Sequence, residues 1–165
     1  MTLLILIDSR EQHPWAFPKF DTHRCTLETG DYSVVIPQDS PLSKYSDESL
    51  DYTICIDRKG CTAELFQNVT QARFKNEIDR MGKFRHKFLI LEFSMDDILR
   101  FPYGSSIPKR RWRYLRVKPE FVLGYLTNLM LSGISVIFAG DSSNAQRICL
   151  NILKKVYLNS TENTI

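Results

Sequence analysis

The feature that most constrains the fold of this chain is an apolar run at residues 52–56 that ends in a charged triplet, Asp57, Arg58 and Lys59. Such a run predicts a β-strand, in which Asp57 and Lys59 share one face and Arg58 lies on the other. The carboxylate and the ammonium then lie about 6–7 Å apart along the backbone. The pattern fits either a surface ion pair or the catalytic edge of a sheet.

A second carboxylate, Asp31, follows Gly30, which allows a tight turn between two apolar runs. Asp31, Asp57 and Glu64 form a set of acids that can converge near Lys59. Hard oxygen ligands suit Mg²⁺ or Mn²⁺, which lower the pKa of a bound water, while a lysine orients that water and balances phosphate charge. The chemistry that this set predicts is phosphodiester hydrolysis.

Four short motifs follow one another along the chain: IDSRE at residues 7–11, GDY at 30–32, IDRK at 56–59 and EL at 64–65. Their order and spacing resemble those of the XPF-type structure-specific endonucleases, a branch of the PD-(D/E)XK nucleases. The later apolar strands and helices are similar too, so the resemblance covers nearly the whole nuclease domain.

The resemblance implies an α/β fold with a central mixed β-sheet flanked by helices, as in restriction endonucleases. It also implies that Asp31 and Asp57 hold a Mg²⁺ or Mn²⁺ ion, while Lys59 positions the attacking water. Glu64 assists as a third ligand or as a supporting acid. The remaining residues of the predicted catalytic edge are Asp8, Arg10, Glu11 and Arg58.

Two positions depart from the family pattern. Asp57 stands where the family usually has Glu, which places the predicted metal closer to its strand. Glu64 replaces the usual Asp and lies one residue further along, where its longer side chain can absorb the shift. An acid in the first turn of a helix also simply complements the helix dipole, so both interpretations of Glu64 stay open. Glu92, at the end of a later strand, is either a further ligand or a hydrogen-bonded acid at the sheet end.

The bulk properties fit one soluble domain, because 165 residues with 43% hydrophobic and 25% charged content allow a sizeable core. A net charge of +3 neither demands nor excludes nucleic acid. Cys25, Cys55, Cys61 and Cys149 are scattered without a CxxC pair, which indicates neither a zinc site nor a disulfide framework. With no signal peptide or membrane span in the sequence, we expect an intracellular protein, cytoplasmic or, in a eukaryote, nuclear.

Apolar periodicity places the predicted elements along a single domain at residues 1–165. Strands are predicted at residues 3–7, 24–27, 32–36, 87–93 and 134–138, with the second and third hinged at Gly30. Helices are predicted at 62–82 in one or two pieces with Thr62 as cap, at 119–132 and at 142–158. Residues 37–51 are predicted to be a long hairpin connection, 102–118 a basic loop and 159–165 a tail.

The basic loop is the most biased stretch of the chain, because it interleaves cations with aromatic side chains. Guanidinium groups beside aromatic rings grip phosphates and stack on unpaired bases, although a charge run in a loop is often merely solvated. By resemblance, the substrate is branched DNA such as flaps or forks, cut near a junction of single and double strands. The predicted DNA-binding residues are Arg73, Lys109, Arg110, Arg111, Trp112, Arg113 and Arg116.

Two other classes of function compete with a nuclease. A DNA-binding or scaffolding module without activity is one, but the retention of both Asp57 and Lys59 argues against it. A small-molecule α/β enzyme is the other, and the sequence has neither a glycine-rich phosphate loop nor a Ser-His-Asp arrangement.

The C-terminal helices are apolar on more than one side, which predicts a partner. In the helix at 119–132, Leu123, Met130 and Leu131 lie off the main apolar stripe, and Leu150 and Tyr157 lie off the stripe of the last helix. Relatives of the resembled family dimerise through matching helices, so we expect a homodimer or a heterodimer. Packing against the protein's own sheet is the alternative.

Overall fold

The computed structural model describes residues 3–36 and 54–162, and the predicted connection at 37–51 lies outside them. The strands are β1 (Leu4–Asp8), β2 (Asp21–Cys25), β3 (Tyr32–Val34), β4 (Ile54–Lys59), β5 (His86–Leu91) and β6 (Ser135–Phe138). The helices are α1 (Thr62–Asn68), α2 (Ala72–Met81), α3 (Met95–Leu99), a 3₁₀ helix (Lys109–Tyr114), α4 (Pro119–Leu131) and α5 (Ser142–Glu162).

The strands form a six-stranded sheet in the order β2-β1-β3-β4-β5-β6. The strand β3 is antiparallel to its neighbours β1 and β4, while β1–β2, β4–β5 and β5–β6 pair in parallel. Helices cover the sheet, so the predicted α/β fold with a central mixed sheet is confirmed. The antiparallel pairing of β3 with β4 is what brings the turn before Asp31 beside the end of the strand that carries Asp57.

The side chains of β4 alternate between two hydrophobic cores, one on each face of the sheet. Cys55 packs into a cluster with side chains of α1, α2, α3 and α4 on one face of the sheet. Ile54 and Ile56 pack into the cluster on the opposite face, which includes side chains of α5. Because side chains alternate along a strand, Asp57 and Lys59 lie on the face of Cys55, as predicted from the sequence.

The N-terminal half departs from the prediction in its second strand. The strand predicted at 24–27 lies instead at Asp21–Cys25 and pairs with β1, so it is not the neighbour of β3 across Gly30. Four of its five residues are exposed, which is why it carries no apolar signal and occupies the edge of the sheet. The third strand ends at Val34 rather than at residue 36.

The helices also differ from the prediction in their ends. Residues 62–82 form two helices, and the N-cap of the first is Cys61, because Thr62 is buried and faces the core instead of capping. The basic stretch at 102–118 contains a 3₁₀ helix, and the short α3 was not predicted. The last helix extends to Glu162, so residues 159–162 are not a tail. Tyr157 is buried in the core, which corrects its placement outside the core stripe.

Candidate active site

The end of β4 carries a buried ion pair. Nζ of Lys59 lies 2.8 Å from Oδ2 of Asp57, and both side chains are almost fully buried. The contact is an ion pair without the angle of a directional hydrogen bond, and Oδ2 has no other partner among the described residues. Burial is the largest single cause and lowers the pKa of Lys59, but the contacts with Asp57 and the charges of Glu77 and Asp31 together raise that pKa above its ordinary value. The lysine is therefore a fixed cation at the end of the strand.

The turn at Gly30 places the second carboxylate next to this pair. Gly30 has φ +79°, a left-handed conformation that glycine adopts without strain. The amide of Asp31 donates to the carbonyl of Ile56 over 2.8 Å, and Oδ2 of Asp31 accepts from the amide of Arg58 over 2.7 Å. Burial, and next the charge of Asp57, raise the pKa of Asp31 well above its usual range. Two carboxylates thus compete for one lysine, which favours the arrival of a further cation.

Six of the eight predicted catalytic residues line one cleft of about 230 Å³ at this edge: Glu11, Asp31, Asp57, Arg58, Lys59 and Glu64. Arg73, a predicted DNA-binding residue, lines the same cleft from the exposed side of α2. The other two predicted catalytic residues, Asp8 and Arg10, line a second cleft that shares Glu11, Asp31 and Arg58 with the first.

Asp8 differs from Asp57, because both oxygens of its side chain accept hydrogen bonds. Nε and Nη2 of Arg10 donate to its two oxygens over 2.8 Å each, and the amides of Arg10 and Leu27 donate to it as well. Burial raises its pKa, but the hydrogen bonds from Arg10 and Leu27 outweigh burial and hold the pKa below its ordinary value. Asp8 ties the end of β1 to the segment that leads into the Gly30 turn.

Arg58 is held on the opposite face by Glu92, which ends the β5 segment. Its Nε donates to Oε1 of Glu92 over 2.7 Å, and its Nη1 donates to the carbonyl of His13 over 2.6 Å. The same Glu92 oxygen accepts from Nε1 of Trp15 and from the hydroxyl of Ser142. These contacts favour the second interpretation of Glu92, a hydrogen-bonded acid at the sheet end.

Glu64 and an acid that the sequence analysis missed complete the cleft. Oε2 of Glu64 accepts from the amide of Gly60 over 3.0 Å, so this carboxylate closes the turn between β4 and α1. Glu77 of α2 lines both clefts. Its burial, and next the charge of Asp57, raise its pKa. The helical spacing of Arg73, Glu77 and Arg80, which flank the apolar stripe of α2, was the available signal for it.

The carboxylates of the cleft provide some, but not all, of the oxygen ligands that a hard cation such as Mg²⁺ needs. Within residues 3–36 and 54–162, no group of three acidic, histidine or cysteine side chains is arranged to hold a metal ion as placed. Asp31 and Asp57 are a buried pair of carboxylates, and Oδ2 of Asp57 accepts no hydrogen bond among the described residues, which leaves a lone pair for a cation beside its ion pair with Lys59. The predicted third ligand, Glu64, is instead engaged by the amide of Gly60.

The remaining predicted DNA-binding residues lie on or near the 3₁₀ helix and line neither cleft. Lys109, Arg110, Arg111, Arg113 and Arg116 are exposed. Trp112 is only half-exposed, and its Nε1 donates to the carbonyl of Ile107 over 2.9 Å. Ile107, Leu115 and Val117 pack against the core under α1–α4, so this segment is anchored on the face of the sheet that also carries Asp57.

Comparison with known proteins decides the family. The ERCC4 domain matches residues 7–152, which is most of the chain. The chain belongs to the ERCC4 domain family. A search of curated proteins gave no match.

The fold of this ERCC4 domain is similar to that of XPF from Aeropyrum pernix. One structure of that protein matches with a TM-score of 0.57 and 15% identity over 91% of this chain and 64% of the other. A second, in complex with DNA, matches with a TM-score of 0.58 and 15% identity over 97% of this chain and 66% of the other. The chain thus spans about two thirds of the length of these relatives. These matches show the ERCC4 domain family and a fold shared with XPF.

Proposed function

We propose that this ERCC4 domain is a metal-dependent endonuclease that hydrolyses phosphodiester bonds in DNA. The observation that carries the proposal is the convergence of Asp31, Asp57 and Lys59 at the end of the central strand β4, inside a cleft that Arg58 and Arg73 also line. A buried lysine between buried carboxylates is costly to maintain for stability alone, and perturbed acids in a cleft are typical of catalytic sites.

In this proposal Asp31 and Asp57 hold a Mg²⁺ or Mn²⁺ ion, which when bound makes a water more acidic and neutralises phosphate charge. The ammonium of Lys59, fixed in the charged state by Asp57, orients the attacking water and faces the negative charge that develops on the phosphate. Water attacks the phosphorus, the bond to one bridging oxygen breaks, and the proton that the water loses is replaced on that leaving oxygen, so the products are an alcohol and a phosphate monoester. Glu64 holds the Gly60 turn that shapes the cleft.

The proposed substrate is branched DNA, such as flaps or forks with a junction of single and double strands, in repair, recombination or replication. Support comes from the exposed cations of the 3₁₀ helix and from the fold shared with an XPF structure that contains DNA. None of the described helices has the length and apolar character that crossing a bilayer requires. We also propose that the protein is intracellular and acts as a dimer through its C-terminal helices.

The test is cleavage of end-labelled flap, fork and duplex DNA in Mg²⁺, in Mn²⁺ and in chelator. Asp31→Asn and Asp57→Asn should each abolish cleavage while DNA binding is retained, since each removes a ligand charge. Asp96→Asn is the matched control, because Asp96 is exposed on α3 and, among the described residues, its side chain forms a surface ion pair with Arg100. Cleavage that persists in chelator would contradict the metal mechanism. DNA binding without cleavage in any metal would instead favour an inactive binding module.

A further inference from the structure

Two tyrosines beside the basic 3₁₀ helix are more exposed than any other aromatic side chain in the described part of the chain. Tyr103 is 67% exposed and Tyr114 is 66% exposed. Neither belongs to a core cluster, although the neighbouring Ile107, Leu115 and Val117 all pack against one. Two solvent-facing rings in one segment offer flat faces on which a ligand can stack.

Each exposed ring is braced by a neighbouring side chain. The ring of Tyr103 meets the ring of Trp112 edge-on, with 4.7 Å between the centroids. The guanidinium of Arg113 lies 4.7 Å from the centroid of Tyr114. Trp112 is itself held by its hydrogen bond to Ile107, so it acts as a support rather than as a free ring. Rings that are oriented before binding lose little conformational entropy when a flat ligand stacks on them.

The charges around these rings specify the kind of ligand. Lys109, Arg110 and Arg111 are exposed, and no carboxylate among the described residues forms an ion pair with any of them. Cations without partners attract a polyanion, while a bare ring attracts a flat apolar group. A single nucleic-acid strand carries both, because its phosphates alternate with bases that are free to leave the stack.

We propose that Tyr103 and Tyr114 are stacking sites for unpaired bases of a single DNA strand, with the cations of the 3₁₀ helix on its phosphates. Bases within a duplex are already stacked and hidden, so this surface selects the unpaired arm of a branched substrate. Phe101, two residues before Tyr103, stacks on Phe66 of α1 with 3.7 Å between the centroids, which ties the surface to the helix that carries Glu64. The inference rests on the proposed function for the identity of the ligand as DNA.

The test measures binding by fluorescence anisotropy in chelator, so that cleavage plays no part. The probes are an oligothymidylate of about 12 nucleotides, an abasic oligonucleotide of the same length and a matched duplex. Tyr103→Ala and Tyr114→Ala should each weaken oligothymidylate binding roughly 5- to 100-fold, the range found for loss of one stacked base. Both should leave binding of the abasic strand and the duplex unchanged. Tyr103→Phe and Tyr114→Phe keep the ring and should bind like the wild type.

Two further variants separate stacking from charge and from general surface effects. Arg111→Ala should weaken every probe and reduce the slope of log K against log salt by about one, because a phosphate contact releases a counterion, whereas the tyrosine variants should keep the slope. Thr22→Ala changes an exposed side chain of the edge strand β2 and should change nothing. Equal losses for the abasic and the thymidylate strands, or no loss in either alanine variant, would overturn the inference. If the stacking losses occur but no substrate is cleaved in any metal, the proposed nuclease activity fails while the binding surface stands.

Discussion

At the scale of single residues, Gly30 determines where the Asp31 carboxylate lies. A Cβ on Gly30 would lie 2.6 Å from Sγ of Cys55 and 3.0 Å from the carbonyl oxygen of Ile56. The φ of +79° adds strain for any other residue. We expect Gly30→Ala to lower the free energy of unfolding by roughly 2–4 kcal/mol, which urea denaturation measures.

The matched control for Gly30 is Gly124, which lies inside α4, where an added Cβ would meet no atom within 4 Å outside its own helix. Gly124→Ala should raise the free energy of unfolding by up to ~1 kcal/mol, because alanine is the better helix former. Equal effects of the two substitutions would mean that the Gly30 turn relaxes easily and does not position Asp31.

The Asp57–Lys59 pair is the second residue-scale prediction. From the sequence, Lys59→Met is expected to lose cleavage by a factor on the order of 10² or more while the fold persists. The buried pairing adds a stability cost: either single change leaves a buried charge without its partner and should cost ~3–5 kcal/mol.

A double-mutant cycle separates the two contributions. The double variant Asp57→Asn with Lys59→Met removes both charges, so it should be more stable than the sum of the single losses predicts, by about 0.5–3 kcal/mol. Thermal or urea unfolding of the four proteins measures this coupling. Additive losses would contradict a direct pair in the folded protein. The three variants should show no metal-dependent cleavage, whereas the wild type should cleave.

The residue pattern predicted some of this site and missed the rest for a physical reason. Strand alternation alone was enough to place Asp57 and Lys59 on one face. It gave no information on Glu77, because Glu77 belongs to a different element, α2, and lines the cleft only through tertiary packing. Nor did it show that the Asp8 carboxylate is occupied by Arg10 and Leu27, since the contact with Leu27 spans 19 residues of sequence.

At the scale of elements, Glu92 joins three segments at the end of β5. Its Oε1 accepts from Arg58 of β4, from Trp15 in the segment after β1 and from Ser142 at the start of α5. Glu92→Gln keeps an acceptor but loses the charge that holds Arg58. We expect kcat to fall roughly 10- to 100-fold with little change in KM, the size of effect found for residues that orient catalytic groups.

In this prediction Glu92 acts by positioning Arg58, and measuring its effect in an Arg58 variant tests that role. In Arg58→Ala, the further change Glu92→Gln should have no additional effect on kcat, because its effect passes through Arg58. Ser142→Ala is the control, since it removes one bond to the same oxygen and leaves the ion pair with Arg58 intact. Independent losses from the two substitutions would show that Glu92 acts elsewhere.

The elements that the sequence predicted well are those with a buried apolar signal. The strands β1, β4, β5 and β6 and the helices α4 and α5 lie close to their predicted positions, because each buries a regular set of side chains. The edge strand β2 carries DTHRC and is held by backbone pairing to β1, which no apolar pattern reports. The short α3 begins at a capping box of Ser94 and Asp97, which is a local sequence signal for a helix start and is independent of apolar periodicity.

At the scale of the whole molecule, the apolar surface of the C-terminal helices divides into a part that the protein covers itself and a part that it leaves bare. Leu123 and Leu150 pack against the two cores, and Tyr157 is buried, so their position off the stripe needs no partner. Met130 and Leu131 of α4 are 47% and 81% exposed, and Phe121 and Leu158 are exposed as well. Only this second group supports the proposed dimer.

The last prediction is that the exposed apolar side chains at the end of α4, Met130 and Leu131, mediate self-association. Light scattering at micromolar concentration should give twice the chain mass of 19.2 kDa for the wild type, with and without DNA. Leu131→Asp should give the monomer mass without loss of stability, because a charge on an 81% exposed side chain stays solvated in the monomer but is buried in a dimer. Leu99→Asp, on α3 and 52% exposed, is the matched control and should remain dimeric. A wild type that scatters as a monomer at all concentrations would rule out the homodimer, because a symmetric interface must use the same patch twice. The exposed surface of α4 would then be expected to bind a different protein.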